Sequence, residues 1–211
     1  MASRANLGLL LRTGASELST ALPIAPITPI APEVASRLSA SKKPAEKPPA
    51  SHRNQHYGFL AEGMDDPRPE FMRRLKSALP DTGSIVAYNA PFELGRLAEC
   101  SELLPEFKSW FKNVERRTVD LLLPFRGFRY HHPDQNGSNS MKAVLPALTG
   151  RGYDGLEIQE GGTASMEFLR VTYGKTPEAE RRRVRAALEK YCALDTEGMV
   201  WIVDALLKLA V

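Results

Sequence analysis

Residues 183–196 read Arg183-Val184-Arg185-Ala186-Ala187-Leu188-Glu189-Lys190-Tyr191-Cys192-Ala193-Leu194-Asp195-Thr196 and predict part of a long amphipathic helix near the C-terminus. Apolar residues recur there in steps of three or four, the spacing that places side chains on one helical face. That face also contains Asp195, among Val184, Leu188, Tyr191, Met199, Ile202, Leu206 and Leu209. The helix therefore carries a carboxylate where Leu or Ile would be expected.

A carboxylate on a buried helix face needs a partner, because moving an ionised group out of water is costly unless it is compensated. The helix alone leaves two interpretations of Asp195 open. It is either an Asp at the rim, satisfied by a hydrogen bond or a neighbouring Arg, or a metal ligand. Tyr191 lies one turn earlier on the same face.

The composition indicates one globular domain without a basic surface. The chain has 211 residues, of which 43% are apolar, enough for a single core. Residues 1–56 hold seven basic and three acidic residues, a balance of +4, whereas residues 57–211 hold 21 basic and 22 acidic residues, a balance of −1. The positive charge is thus a property of the N-terminal segment and gives no support for a basic nucleic-acid-binding face on the folded part.

Two features bear on the cellular compartment. Cys100 and Cys192 are the two cysteines, and both lie in predicted helices, which favours a reducing compartment without disulfides. No apolar run approaches the roughly 20 residues that a membrane span needs. We therefore expect a cytoplasmic protein that has no membrane partner.

The chain divides at about residue 54. Residues 15–53 contain seven prolines and no aromatic residue, so we predict that residues 1–54 form a disordered tail rich in Pro, Ala and Ser. Residues 55–211 alternate between strand and helix patterns, which predicts an α/β layered domain. The predicted strands span 57–60, 84–88 and 118–123, and the predicted helices span 67–79, 90–100, 105–112, 141–148, 163–172 and 177 onwards.

Three carboxylates are candidates for one site. Glu93 lies in the opening turn of a helix that follows the strand at 84–88, and Asp120 lies near the end of the next strand. Ligands of open α/β sheets collect at the carboxyl edge of the strands, where these two residues and Asp195 can converge. Oxygen ligands of this kind suit Mg²⁺ or Mn²⁺. The alternative is structural: Glu93 interacts with the helix dipole, and Asp120 forms hydrogen bonds at a strand end.

Two motifs resemble those of the DEDD superfamily of 3′–5′ exonucleases. The final motif of that superfamily, Tyr-x-x-x-Asp, is similar to Tyr191-Cys192-Ala193-Leu194-Asp195, and its middle motif is similar to Ile85-Val86-Ala87-Tyr88-Asn89-Ala90-Pro91-Phe92-Glu93. More closely, residues 56–208 resemble the prokaryotic family called domain of unknown function 2779. That resemblance rests on the combination and order of Tyr88-Asn89 with Phe92-Glu93, Arg117-Thr118-Val119-Asp120-Leu121, His132-Pro133, Ser140-Met141-Lys142-Ala143-Val144-Leu145-Pro146, and Tyr191-Cys192 with Asp195-Thr196.

The resemblance implies a ribonuclease H-like fold, a mixed sheet flanked by helices, with a two-metal site of Mg²⁺ or Mn²⁺ for phosphodiester hydrolysis. By position, Asp195 and Glu93 would bind metal, and Tyr191 would orient the attacking water. Asp120 stays a further candidate ligand on the strand pattern described above. Glu93 stands where the exonuclease motif has Asp.

Basic and polar side chains near the same edge are candidates to contact nucleic acid. We expect Asn89 and Lys142 to do so, and Arg126 and Arg129 are further candidates for phosphate contacts there.

The first exonuclease motif, an Asp-x-Glu pair on the first strand, has no counterpart here, because residues 1–64 contain no Asp. We infer that the N-terminal strands are missing or altered, in a truncated or degenerate relative, and we expect no independent nuclease activity. The alternative is a non-catalytic module that binds nucleic acid or a protein and keeps the carboxylates as relics.

Overall fold

Three short strands form one mixed sheet in the computed structural model, which describes residues 9–11 and 56–209. They are β1 (Leu9–Leu11), β2 (Ile85–Ala87) and β3 (Thr118–Asp120), in the order β1-β2-β3. The central strand β2 runs antiparallel to β1 and parallel to β3. Val86 therefore stands opposite Leu10 on one side and Val119 on the other.

Helices make up most of the described chain, and the prediction of a mixed α/β fold is confirmed. Three 3₁₀ turns, at Pro105–Phe107, Arg126–Phe128 and Pro133–Gln135, connect longer elements. The helices are α1 (Arg68–Ala78), α2 (Ala90–Leu103), α3 (Lys108–Arg117), α4 (Met141–Thr149), α5 (Gly161–Tyr173) and α6 (Glu178–Leu209). No helix in the described ranges has the length and hydropathy to cross a membrane.

Strand β2 separates two hydrophobic clusters. Successive side chains of a strand point to opposite faces, so neighbouring residues of β2 enter different clusters. Ile85 packs with residues of α1, α2 and α3, including Met72 and Leu97. Val86 packs with residues of α4, α5 and α6, including Leu145. The sheet thus lies between two groups of helices.

The predicted apolar face of the long helix is confirmed in α6 as far as Ile202, with Val184, Leu188, Tyr191, Met199 and Ile202 buried. The face does not continue to the end of the helix, because Leu209 is exposed. This face packs against α4 and α5. A close approach occurs at Gly198, where an added Cβ would lie 2.9 Å from Leu145 Cδ2.

The predicted strand at residues 57–60 is wrong, because residues 56–62 have no regular structure. The guanidinium of Arg185 donates hydrogen bonds to the carbonyl oxygens of Leu60 (3.0 Å) and Ala61 (2.9 Å). These carbonyls are therefore satisfied by a side chain of α6, which holds the segment against the helix without a sheet partner.

The third strand is shorter than predicted, ending at Asp120. Oδ1 of Asp120 accepts a hydrogen bond from the backbone N–H of Leu122 at 3.0 Å, which turns the chain where the apolar pattern continued to residue 123. The helix predicted at 105–112 instead begins as a 3₁₀ turn and continues in α3 to Arg117.

The predicted tail falls almost entirely outside the described residues. Within it, Leu9–Leu11 form β1 and pair with β2. Residues 1–8 and 12–55 lie outside the described ranges, and the prediction of disorder for them stays a prediction.

We predict that Leu145→Ala lowers the free energy of unfolding by about 2–5 kcal/mol. The side chain of Leu145 is fully buried where α4 packs against α6, and its truncation leaves a cavity. Urea denaturation measures the change. The matched control is Leu103→Ala in α2, whose side chain is 56% exposed, and equal losses in the two variants would contradict this packing.

Candidate active site

Glu93 is a buried carboxyl group in the first turn of α2, just beyond the carboxyl end of β2. The residue is 8% exposed, and its Oε2 atom has no hydrogen-bond partner among the described residues. Burial, and secondarily the negative charge of Asp195, raises the pKa of Glu93 to about 8. Glu93 therefore holds its proton at neutral pH unless a cation replaces it.

Asp195 projects from α6 and is partly buried. Its carboxylate accepts a hydrogen bond from the Tyr153 hydroxyl at 2.5 Å and another from the Tyr191 hydroxyl. Burial raises the pKa of Asp195, while these two hydrogen bonds and the charge of Lys142 oppose that rise. Two phenols thus satisfy the carboxylate that the sequence places on an apolar face.

A pair of tyrosine rings and a lysine cover Asp195. The ring centroids of Tyr153 and Tyr191 are 5.9 Å apart. The exposed Lys142 places its Nζ 5.7 Å from the centroid of Tyr153 and 5.9 Å from that of Tyr191, within the range of a cation–π interaction. Burial and the nearby Asp195 charge raise the pKa of both phenols, so they remain protonated and act as donors.

Asp120 has a structural role between the two parallel strands. Its Oδ1 accepts hydrogen bonds from the backbone N–H of Asn89 (2.9 Å) and from that of Leu122 (3.0 Å). Asn89 adopts a left-handed backbone conformation (φ 66°), and its side chain does not cap α2. The bond therefore joins the carboxyl ends of β2 and β3 and sets the direction in which α2 begins.

The structure brings Glu93, Tyr191 and Lys142 into one cluster around Asp195. The charge of Asp195 helps to raise the pKa of Glu93, and Tyr191 and Lys142 favour the ionised form of Asp195. Asn89 is joined to Asp120 instead, through its backbone, and its side chain is exposed. Sequence reasoning missed Tyr153, which lies in the irregular segment before α5. The signal for it was indirect: a buried Asp needs donors, and tyrosine can supply one from an apolar position.

The carboxyl groups of this cluster can hold one divalent cation but not two. Mg²⁺ keeps several waters and commonly binds through one or two carboxylates, so Glu93 and Asp195 suffice for one ion, and the unpaired Oε2 of Glu93 is an available ligand atom. Residues 56–209 contain no group of three or more His, Cys, Asp or Glu side chains placed to hold a metal. The described residues therefore do not form the cage of a two-metal site.

Comparison of the sequence with known protein families identifies the family to which the chain belongs. The family model described as "Domain of unknown function (DUF2779)" matches residues 33–140, about half of the chain, and the chain therefore belongs to this family. The matched range begins within the segment predicted to be a tail, includes Glu93 and Asp120, and ends before Tyr191 and Asp195. No curated protein and no solved structure matches the chain.

We predict that Glu93→Gln changes the dependence of stability on pH. Between the unfolded pKa of 4.5 and the folded pKa of about 8, the folded protein keeps a proton that the unfolded chain has released. The free energy of unfolding therefore falls as the pH rises from 4.5 to about 8, by up to ~1.4 kcal/mol per pH unit, because ionising Glu93 is unfavourable in the folded protein. Glu93→Gln should match the wild type near pH 4 and be more stable at pH 9.

Chemical denaturation from pH 4 to 9 measures this difference, with Glu102→Gln as the control because Glu102 is exposed on the same helix. Parallel pH profiles for the wild type and Glu93→Gln would show that Glu93 is not a buried acid with a raised pKa.

We predict that Tyr153→Phe lowers the free energy of unfolding at pH 8 by roughly 1–3 kcal/mol, because it removes a donor to a partly buried carboxylate. The loss should shrink near pH 3, where Asp195 is protonated. Tyr173→Phe, which alters an exposed tyrosine on α5, is the control, and equal losses at both pH values would contradict the role of Tyr153.

Proposed function

We propose that this member of the DUF2779 family is an exonuclease-like, nucleic-acid-processing domain of the ribonuclease H-like kind, in which Glu93 and Asp195 bind one divalent cation. The observation that carries the proposal is the buried Glu93, whose Oε2 lacks a partner beside Asp195. Replacing the proton of such a buried acid with a bound cation stabilises the folded protein. The mixed sheet between two groups of helices supports the proposed fold.

The two carboxyl groups differ in protonation state because their surroundings differ. Asp195 receives two phenol hydrogen bonds, which favour its ionised form, whereas Glu93 Oε2 receives none. At neutral pH Glu93 is therefore the member of the pair that keeps a proton. That proton offsets the repulsion between the carboxyl groups until a cation is bound.

The surrounding side chains orient groups without transferring protons. Tyr191 is held by its hydrogen bond to Asp195, and its raised pKa makes it unsuitable as a base, so it can only orient a water or a phosphate oxygen. Lys142 supplies positive charge at the exposed side of the tyrosine rings. A bound Mg²⁺ would stabilise negative charge on a phosphodiester oxygen as a Lewis acid.

We further propose that this chain does not cleave phosphodiester bonds by itself. The exonucleases that it resembles use an additional Asp-x-Glu pair, and residues 1–64 contain no Asp. The pair of Glu93 and Asp195 supplies ligands for one ion, whereas two-metal hydrolysis needs ligands for two.

A second candidate, a silent binding module, is favoured by one observation. Residues 56–209 contain no group of three or more metal-ligating side chains. In this case Glu93 and Asp195 are relics, and the domain binds nucleic acid or a protein without a metal. Cation binding separates the two candidates.

We predict that MnCl₂ or MgCl₂ raises the Tm of the full chain at pH 8.5, because a cation that binds only the folded state stabilises it by mass action, about 2.7 kcal/mol at 100 times Kd. The increase should be smaller at pH 6.5, where Glu93 is protonated (pKa about 8). Thermal unfolding in EDTA and in increasing metal concentrations measures it.

The matched variants are Asp195→Asn, which should lose the metal-dependent increase in Tm, and Glu102→Gln, which should keep it. An equal increase in all three proteins would show binding elsewhere, and no increase in the wild type would favour the silent module. Digestion of a labelled oligonucleotide that requires metal and disappears in Asp195→Ala would overturn the proposal that the chain is inactive.

A further inference from the structure

The segment that follows β3 exposes an aromatic ring between two arginines. Phe128 is 69% exposed, and Arg126 and Arg129 on either side of it are also exposed. Neither arginine forms an ion pair with a residue in the range 56–209. The segment 126–129 therefore combines a largely exposed aromatic ring with two positive charges that have no ion-pair partner in the range 56–209.

The backbone of this segment is unfavourable for phenylalanine. Gly127 (φ 65°) and Phe128 (φ 57°) both adopt left-handed conformations. Glycine does so freely, and Asn more readily than most residues, but an aromatic residue does so at a cost of about 1–3 kcal/mol. An exposed phenylalanine at this position gains little burial to offset that cost.

A chain of aromatic contacts holds the segment in place. The Phe128 ring meets the His131 ring edge-on, with centroids 5.2 Å apart. Tyr130 packs edge-on against the buried Phe125 at 5.8 Å, and Phe125 stacks with Tyr88 at 6.4 Å. Tyr88 in turn donates a hydrogen bond to the carbonyl oxygen of Asn139 at 2.6 Å. The base of the segment is thus anchored to the residue that follows β2.

The segment lies at the edge of the sheet where the acid pair lies. Glu93 follows the carboxyl end of β2, and residues 126–129 follow the carboxyl end of the parallel strand β3. In open α/β sheets this edge is where ligands bind. A strand of nucleic acid that approaches the acid pair would pass over this edge.

We propose that Phe128 is a stacking platform for one base of single-stranded nucleic acid, with Arg126 and Arg129 contacting the adjacent phosphates. Single-strand-binding proteins combine these two elements: aromatic rings for the bases and positive charges for the backbone. Bases in a duplex are already stacked, so the platform selects single strands. The ligand class rests on the proposed function, and the sequence already made Arg126 and Arg129 candidates for phosphate contacts, whereas the stacking role of Phe128 is new.

The test measures the affinity of the full chain for a fluorescein-labelled single-stranded oligothymidylate by fluorescence anisotropy in EDTA. Phe128→Asn should weaken binding by about 5-fold to 100-fold, the range expected for loss of one stacked base. Asn tolerates the left-handed backbone, so the Tm of the variant should equal or exceed that of the wild type. Tyr173→Ala, which removes an exposed aromatic ring at the far end of α5, should leave the affinity unchanged.

A strand that contains abasic sites completes a double-mutant cycle. The wild type should bind it more weakly, and Phe128→Asn should weaken that binding no further. An equal effect of Phe128→Asn on both strands, equal affinity for duplex and single strand, or no binding to either would overturn the proposal. Because EDTA removes metal, failure here is distinct from failure of the cation site, which the Tm measurement reports independently.

Discussion

The burial of two carboxyl groups beside each other is the constraint on which the rest of the structure depends. Glu93 comes from α2, which packs with α1 and α3 on one side of β2, and Asp195 comes from α6, which packs with α4 and α5 on the other. The pair therefore forms only when both groups of helices dock on the sheet. Like charges in this position cost stability unless a proton, donors or a cation compensates them.

The surrounding residues compensate Asp195 and leave Glu93 uncompensated. Tyr153 and Tyr191 donate to Asp195, and Lys142 adds positive charge nearby. Glu93 Oε2 has no partner within the described ranges. An apolar residue of similar size would stabilise the fold more than an unpaired carboxyl group does. The cation site that we propose requires this oxygen to be unpaired.

Periodicity predicted the parts of the fold that depend on local sequence. The steps of three and four in α6 identified Asp195 and Tyr191, and the strand before α2 placed Glu93 at its carboxyl edge. Contacts between distant residues were not predictable in this way. Arg185 binds the carbonyls of Leu60 and Ala61 across more than 120 residues, so a segment with a strand pattern has no strand. Tyr153 was missed for the same reason, because its importance comes from Asp195 in another element.

Two different kinds of side chain lie at the carboxyl edge of the parallel strands β2 and β3. The residues after β2 supply an acid, and those after β3 supply an exposed ring with two arginines. The hydrogen bond from the Asn89 N–H to Asp120 fixes these two connections relative to each other. Asp120, predicted as a metal ligand, accepts hydrogen bonds in this structure that hold the ends of β2 and β3 in place beside the proposed site.

The most direct measurement is the pKa of Glu93 in the metal-free protein, followed by ¹³C NMR of chain labelled at the glutamate carboxyl carbon. The Glu93 signal is assigned by its absence from Glu93→Gln. We predict that this carboxyl titrates near pH 8, and that a divalent cation shifts its titration to lower pH. Titration near the ordinary value of 4.5, unchanged by metal, would contradict the buried acid pair and the cation site that we derive from it.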